Sequence, residues 1–222
     1  NYIDSLVALG GAYWDDMKSA TSFVGVGIQG ITVPLRDGMP SITNNNFVAG
    51  DLDQLTGLLG DASTKYIDTG LIGTDLSQDD ASISSYITSA DSRIATWFPI
   101  GNSTSGVAGA MHILAKSGST IDVRCHSGTK FVVDTVDTRT WTGFNGISRD
   151  NSANFDWDIN GSSGTIVNSS AAPGNTEAIS VFASSSLFLT SARLATYHAG
   201  PALDLATLEG LQDTLITEIA AI

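Results

Sequence analysis

From about residue 46 to residue 200 the chain is a succession of short, alternating apolar runs separated by turn signals, and no helix-period stretch interrupts them. Strands are predicted over 65–71, 81–88, 94–100, 110–116, 120–126, 130–135, 142–149, 154–160, 165–168, 178–183 and 192–198. Parallel strands need crossover segments of roughly a dozen residues or more, usually helical, and the gaps here hold none. An antiparallel β-sandwich is therefore expected over alternating β and α units. The Asn160-Gly161 pair between two of these runs is a hairpin signal, because both central positions of a type I′ turn need positive φ. The glycine and serines that follow leave the turn type open.

Two flanking zones complete the expected organisation: an N-terminal segment (1–45), the sandwich (46–200) and a C-terminal helix (201–222). In the first zone a short helix is predicted over 4–20, with Tyr13, Trp14 and Met17 on one apolar stripe. A strand over 25–35 ends at Pro34, Asp37-Gly38 makes a turn, and 41–47 is polar and turn-like. In the last zone Gly200-Pro201 stops a strand, and Asp204 is placed to cap a helix. Leu208, Leu211, Leu215, Ile219 and Ile222 follow at spacings that put them on one face. That stripe needs a partner, either the chain's own sheet or a subunit interface formed by Leu208, Leu211, Leu215 and Ile219. Glu218 at a heptad d position and Gly210 disfavour a long free coiled coil.

The hydrophobic share of 42% is ample for a core, while charged residues amount to only 15%. Ser, Thr, Asn and Gly must therefore cover much of the surface, as suits strands and turns. The formal net charge of −13 repels phosphate backbones, and no basic stripe offsets it, so neither nucleic acid nor an anionic membrane is an expected partner. No apolar run approaches the roughly 20 residues that cross a bilayer. The first residues carry no basic stretch leading into an apolar core, so no secretory leader is predicted, and a start at Asn1 leaves room for processing or an upstream segment. Cys125 is the only cysteine and reads as a small buried hydrophobe.

Catalytic patterns are weakly represented. His112, His126 and His198 fall in separate strands, with no serine elbow and no metal-pair spacing. Asp156, Asp158 and Asn160 match the first half of a calcium loop, but Val167 stands where a bidentate glutamate is required. Asp75, Asp79 and Asp80 form an acidic loop that reads as solvated. Glycosidases of lectin-like sandwiches carry Glu-x-Asp-x-Glu along a strand, whereas the only glutamates here are Glu177, Glu209 and Glu218. No phosphate-cradling glycine loop is present, and no cofactor or metal is expected. Trp97, Trp141, Trp157, Tyr86 and Tyr197 are the aromatic candidates for stacking on sugar rings, with core packing the competing role. Trp141, between Thr140 and Thr142-Gly143 at a loop edge, is the ligand-binding candidate.

Four blocks carry a resemblance. They are Val33-Pro34-Leu35, Phe47-Val48-Ala49-Gly50-Asp51, Thr56-Gly57-Leu58-Leu59-Gly60 and Lys65-Tyr66-Ile67-Asp68-Thr69-Gly70. With Gly146-Ile147-Ser148-Arg149, Asn160-Gly161 and the ending Ala192 through Leu205, they are similar to phage-encoded structural proteins with a concanavalin A-like (laminin-G-type) domain. The resemblance implies a concanavalin A-like jelly-roll sandwich with a short N-terminal helical segment and a C-terminal amphipathic helix. It also implies a non-enzymatic virion component on the particle exterior: a tail or head fibre, an appendage or a capsid decoration. Expected partners are other virion proteins, further copies of the chain in a homo-oligomer, and a host-surface glycan. The alternatives are a lectin-like adhesion module of a cellular surface protein and a polysaccharide-degrading enzyme with dispersed acidic residues.

Overall fold

The computed structural model describes residues 17–102, 108–134, 137–173 and 176–221. In chain order the strands are β1 (Ser19–Ser22), β2 (Thr43–Asn45), β3 (Leu52–Asp53), β4 (Gly57–Leu59), β5 (Tyr66–Ile72), β6 (Ala81–Ser89), β7 (Trp97–Gly101) and β8 (Ala110–Lys116). They continue as β9 (Thr120–Ser127), β10 (Phe131–Asp134), β11 (Gly143–Arg149), β12 (Asn154–Ile159), β13 (Ser162–Val167), β14 (Ala178–Val181) and β15 (Arg193–Gly200). One helix, α1 (Leu205–Ala220), follows.

These strands form two antiparallel sheets. One runs β13-β12-β11-β6-β15-β4-β3, with β1 also on β15; the other runs β10-β9-β8-β7-β14-β5-β2. The fold is thus the antiparallel β-sandwich expected from the alternation. On β6, Ala81, Ile83 and Ile87 face the core between the sheets, and Ser82, Ser84 and Tyr86 face out. Phe23, Phe47, Phe182 and Tyr197 meet in that core at ring separations of 4.9 to 5.9 Å. Burial of each such ring or aliphatic chain contributes roughly 1.5–3 kcal/mol, which is the main source of stability in a chain with one cysteine.

Arg149, fully buried, ties the sheets together. Its Nε donates to Cys125 O at 2.9 Å on β9, and its Nη1 donates to Asn154 O at 2.9 Å and Asn151 O at 3.1 Å. Both Nη atoms also reach Asn168 O at 3.2 Å, and the guanidinium lies 5.2 Å from the Phe155 ring centre. Backbone carbonyls and an aromatic face thus replace the water this cation gave up.

The helix covers the outer face of the first sheet. Asp204 Oδ1 accepts from Thr207 N at 3.2 Å, the cap the sequence predicts. Ser148 Oγ accepts from Leu203 N at 2.7 Å, which fixes the entry to the helix. Leu205 and Leu208 are buried against Phe144, with Leu211 half-buried beside them. Gly146 allows this close approach, because a Cβ there would stand 2.8 Å from Leu205 Cδ2 and 2.7 Å from the Phe144 ring. Gln212 is buried as well, and its Oε1 accepts from the Thr196 hydroxyl at 2.9 Å.

Several expectations for the flanks need correction. Ser19 and Ala20, placed in the predicted helix over 4–20, belong to β1; Tyr13 and Trp14 lie outside the described residues. The strand predicted over 25–35 does not form, a 3₁₀ turn at Ile28–Thr32 taking its place, and the polar 41–47 segment contains β2. The N-terminal zone therefore contributes a strand to each sheet, β1 to one and β2 to the other. Of the proposed interface stripe, Leu208 is covered by its own chain, whereas Leu211, Leu215 and Ile219 are half-buried. Ile222 lies outside the described residues.

Candidate functional site

A cleft of about 310 Å³ opens where the connection into β11 meets the β12–β13 hairpin. Asp134, Asp137, Thr140, Trp141, Thr142, Ile159, Asn160 and Ser162 line it. One wall begins with Asp137, which caps a 3₁₀ turn at Thr138–Thr140 by accepting from Arg139 N at 3.0 Å. Arg139 folds back on the same carboxylate, Nε to Oδ1 at 2.8 Å and Nη2 to Oδ2 at 2.6 Å. The guanidinium beside Asp137 holds its carboxyl below the ordinary carboxylate range. Thr140 N and Oγ1 both donate to Asp137 O at 2.9 Å, which sets Trp141 at the cleft's base.

The opposite wall is the hairpin tip. Ile159 pairs with Ser162, so Asn160 and Gly161 form a two-residue turn with φ of 49° and 77°. These are the positive angles of the I′ geometry the dipeptide predicts. Asn160 N donates to Phe144 O at 2.7 Å, fastening the tip to β11. Gly143 has φ of 95°, and a Cβ there would collide with the Asn160 side chain.

Trp141 is 4% exposed, and its ring lies 5.1 Å from that of Trp97 at an angle of 35°. Of the two roles weighed for Trp141, stacking on a ligand and core packing, the structure shows the core position: the residue lines the cleft from within the core. Its indole Nε1 has no hydrogen-bond partner among the described residues. Buried N–H groups ordinarily find an acceptor, and Trp97 Nε1 beside it likewise has none among the described residues, so this indole pair carries unmet donors inside the core. Trp97 and Tyr197 are also core, Trp157 is half-buried, and the Tyr86 hydroxyl donates to Asp213.

The remaining sequence candidates lie elsewhere. His112 and His126 are buried on the paired strands β8 and β9, and burial lowers His126. Burial also pushes His198 down to about 3 and the Cys125 thiol up to about 12, leaving both unsuited to proton transfer or attack at neutral pH. Asp156 and Asp158 are strand residues of β12 instead of a calcium loop. Asp75 accepts from Ile72 N and Asp80 from Ala202 N, so both brace their loop. Among the described residues no group of His, Cys, Asp and Glu is arranged to hold a metal ion.

Other clefts are less informative. Two of about 350 and 360 Å³ share Lys18 and Asp75 and adjoin Met17, where the described chain begins. A groove of about 240 Å³ runs between Asp156, Asp158, Ser163 and Thr165 and the start of α1. Asp134 and Asp137 escaped sequence reasoning, and Asn160 entered it only as a turn and loop residue; the pairing of β11 with β12 is what brings Asn160 to the Trp141 side of the cleft. The Asn-Gly turn was the one legible signal among them.

No protein-family model matches the chain, and neither does any curated protein. Among solved structures, a Trypanosoma rangeli sialidase mutant displaying trans-sialidase activity is similar, with a TM-score of 0.60 and 8% identity over 97% of this chain and 37% of that one. Botulinum neurotoxin type C, whose cell entry depends on interaction with two ganglioside molecules, gives a TM-score of 0.55 and 12% identity over 90% of this chain and 51% of that one. Domain 4 of AbnA, an extracellular arabinanase of Geobacillus stearothermophilus in complex with arabinotriose, gives 0.54 and 12% over 88% and 98%. At such identities the likeness is one of fold. The chain spans well under two thirds of the sialidase and neurotoxin chains but nearly all of the arabinanase domain. The fold these neighbours share with the chain is the antiparallel β-sandwich.

Proposed function

We propose that this chain is a non-catalytic glycan-recognition sandwich, carried on the exterior of a phage virion as part of a fibre, appendage or decoration. The observation that carries the binding half is the Trp141 cleft, whose carboxylates, amide and hydroxyls offer the mixed hydrogen-bonding that sugars require. Its support from similar folds is the arabinanase domain, matched almost end to end and holding an oligosaccharide.

Binding is favoured over hydrolysis on electrostatic grounds. Glycoside cleavage needs one carboxyl kept protonated beside the scissile bond. In this cleft Arg139 does the opposite to Asp137. The carboxyls raised by burial, Asp158 and Glu209, lie outside this cleft, at the contact between β12 and α1 where Asp158 also lines the groove of about 240 Å³.

The virion half rests on the resemblance of the 33–70 blocks, whose residues make specific contacts in the fold. Asp51 of the second block and Lys65 of the fourth form an ion pair at 2.6 Å. Gly57 and Gly60 of the third lie where a Cβ would strike the Leu194 and Thr190 carbonyls. A glycan array on the purified chain, with its solution mass measured on the same sample, tests recognition; selective binding by an oligomer is expected. Failure of a properly folded sample to bind any glycan would leave only a scaffold role. Antibody labelling of purified particles, with inspection of neighbouring genes for capsid, portal or tail functions, tests the location. Measurable polysaccharide turnover abolished by one Asp substitution would overturn the non-catalytic assignment.

A further inference from the structure

The two sheet paths end at β13 and β3 in the first sheet and at β10 and β2 in the second. Three of these ends are blunted. β3 and β2 span only two and three residues, and β10 shifts register between Val132 and Asp134 and closes on that acidic residue. β13 has no such device: it runs Ser-Ser-Gly-Thr-Ile-Val, uncharged, without proline and in unbroken register with β12. Ile159 and Ser162 close its hairpin, and at the far end Asn168 N donates to Ala153 O at 2.9 Å. Bonded pairs alternate along an antiparallel ladder, so Ser163, Thr165 and Val167 turn their N–H and C=O groups away from β12. All three residues are exposed, Val167 at 86%, and among the described residues no backbone group pairs with them on that side. On the core side of the same edge Trp157, Ile166, Phe131 and Val133 are only half-buried. The Trp157 ring lies over Gly164, where a Cβ would stand 3.1 Å from it.

We infer that β13 pairs antiparallel with β13 of a second copy, about a two-fold axis at Thr165, joining their first sheets into one. This register engages every outward group: Thr165 bonds its own counterpart, and Ser163 of each copy bonds Val167 of the other. Gly164 then stands opposite the second copy's Ile166, which brings that side chain to the half-buried Trp157 ring. A foreign strand would fill the hydrogen bonds alone, whereas a copy also supplies this apolar contact on both sides of the axis, as an isologous interface requires. Charge favours the same edge, because copies carrying −13 each repel, and β13 is an uncharged place to meet. Asp156 of β12, opposite Thr165, takes the Thr165 hydroxyl at 2.5 Å. Across the joined sheets the two copies of Asp156 stand three strand spacings apart, about 14 Å, beyond the Debye length of about 8 Å at 0.15 M salt. Such pairing needs no glycan.

Sedimentation equilibrium of the whole chain in 0.15 M salt, from about 1 to about 100 μM, reads the association. A reversible dimer is expected to grow in over that range. Val167→Lys puts a charge on the edge, and Thr165→Pro removes an outward N–H that β12 does not use. Each should raise the dimer Kd at least about tenfold. Val132→Lys, at an exposed site on β10, should leave it unchanged. Thr165→Cys should cross-link two copies on mild oxidation, since opposed bonded residues have Cα atoms about 5.5 Å apart and Cys125 is buried. Circular dichroism and urea melts establish that each variant is folded, and Val167→Lys with the cross-link decides the matter if the proline variant is not. A monomer throughout the range overturns the pairing. So does a dimer indifferent to both edge variants and not cross-linked through Thr165→Cys, which places the seam elsewhere. A dimer lost with Val167→Lys in a chain that binds no glycan keeps the pairing and removes only the recognition role.

Discussion

The Tyr86 hydroxyl on β6 donates to Asp213 Oδ1 on α1 across 2.8 Å, joining the helix to the outer face of the first sheet. This bond sits at the edge of an unusual contact. Asp158, buried on β12, and Glu209 and Asp213, one turn apart on α1, place three carboxyls together. Burial first, then the Asp213 charge, raises Asp158; burial, then Asp158 and Asp213, raises Glu209. The Gly161 N–H works against the rise at both. Burial and the Asp213 and Glu209 charges likewise raise the Tyr86 phenol.

Groups with raised folded pKa values hold protons more tightly in the folded chain. The contribution of Asp158 and Glu209 is therefore fully present below their unfolded values of 3.8 and 4.5, and is lost as pH rises through the raised values. Asp158→Asn, which keeps the shape and removes the charge, should raise the urea midpoint at pH 7 and reduce the loss between pH 4.5 and pH 7. At the acid end Asp91 acts in the other sense. Burial would raise it, but Arg93 and the N–H groups of Ser191 and Arg93 outweigh that and bring it down to about 2. Its contribution is present above its unfolded value of 3.8 and lost as pH falls toward 2, so Asp91→Asn should flatten the acid limb of the same melts.

Leu208 is 2% exposed against its own sheet, so shortening it opens a cavity within one chain. Leu208→Ala should cost about 2–3 kcal/mol in urea unfolding. The change in midpoint should not depend on protein concentration. A concentration-dependent loss would instead give Leu208 to a subunit seam.

Arg149 shares its five N–H groups among the carbonyls of Cys125, Asn151, Asn154 and Asn168. A lysine ammonium has three donors at one point and cannot span that set. Arg149→Lys should therefore destabilise the sandwich by about 2–4 kcal/mol, read as a lower urea midpoint at unchanged slope.

Gly143 carries both a positive φ and a contact with Asn160. Gly143→Ala should cost about 1–3 kcal/mol and weaken glycan binding by displacing the hairpin tip. Adding Asn160→Gly should recover the part due to collision and leave the part due to φ, a separation that a double-mutant cycle measures.

Much of this architecture is written locally. Alternation at 110–116 and 120–126 marks β8 and β9, because period two decides which side chains share a face. Asp204 caps α1 and Asn160-Gly161 turns the β12–β13 hairpin through interactions spanning at most a few residues. Only tertiary structure decided which sheet each strand joins, as with β1 and β2, since alternation identifies a buried face without identifying what covers it. The same reason puts Leu208 against its own sheet and decides, between the two roles weighed for Trp141, for the core position. The cleft itself is tertiary, for Asp137 and Asn160 meet only because β11 pairs with β12, and a contact across paired strands leaves no periodic mark in the chain.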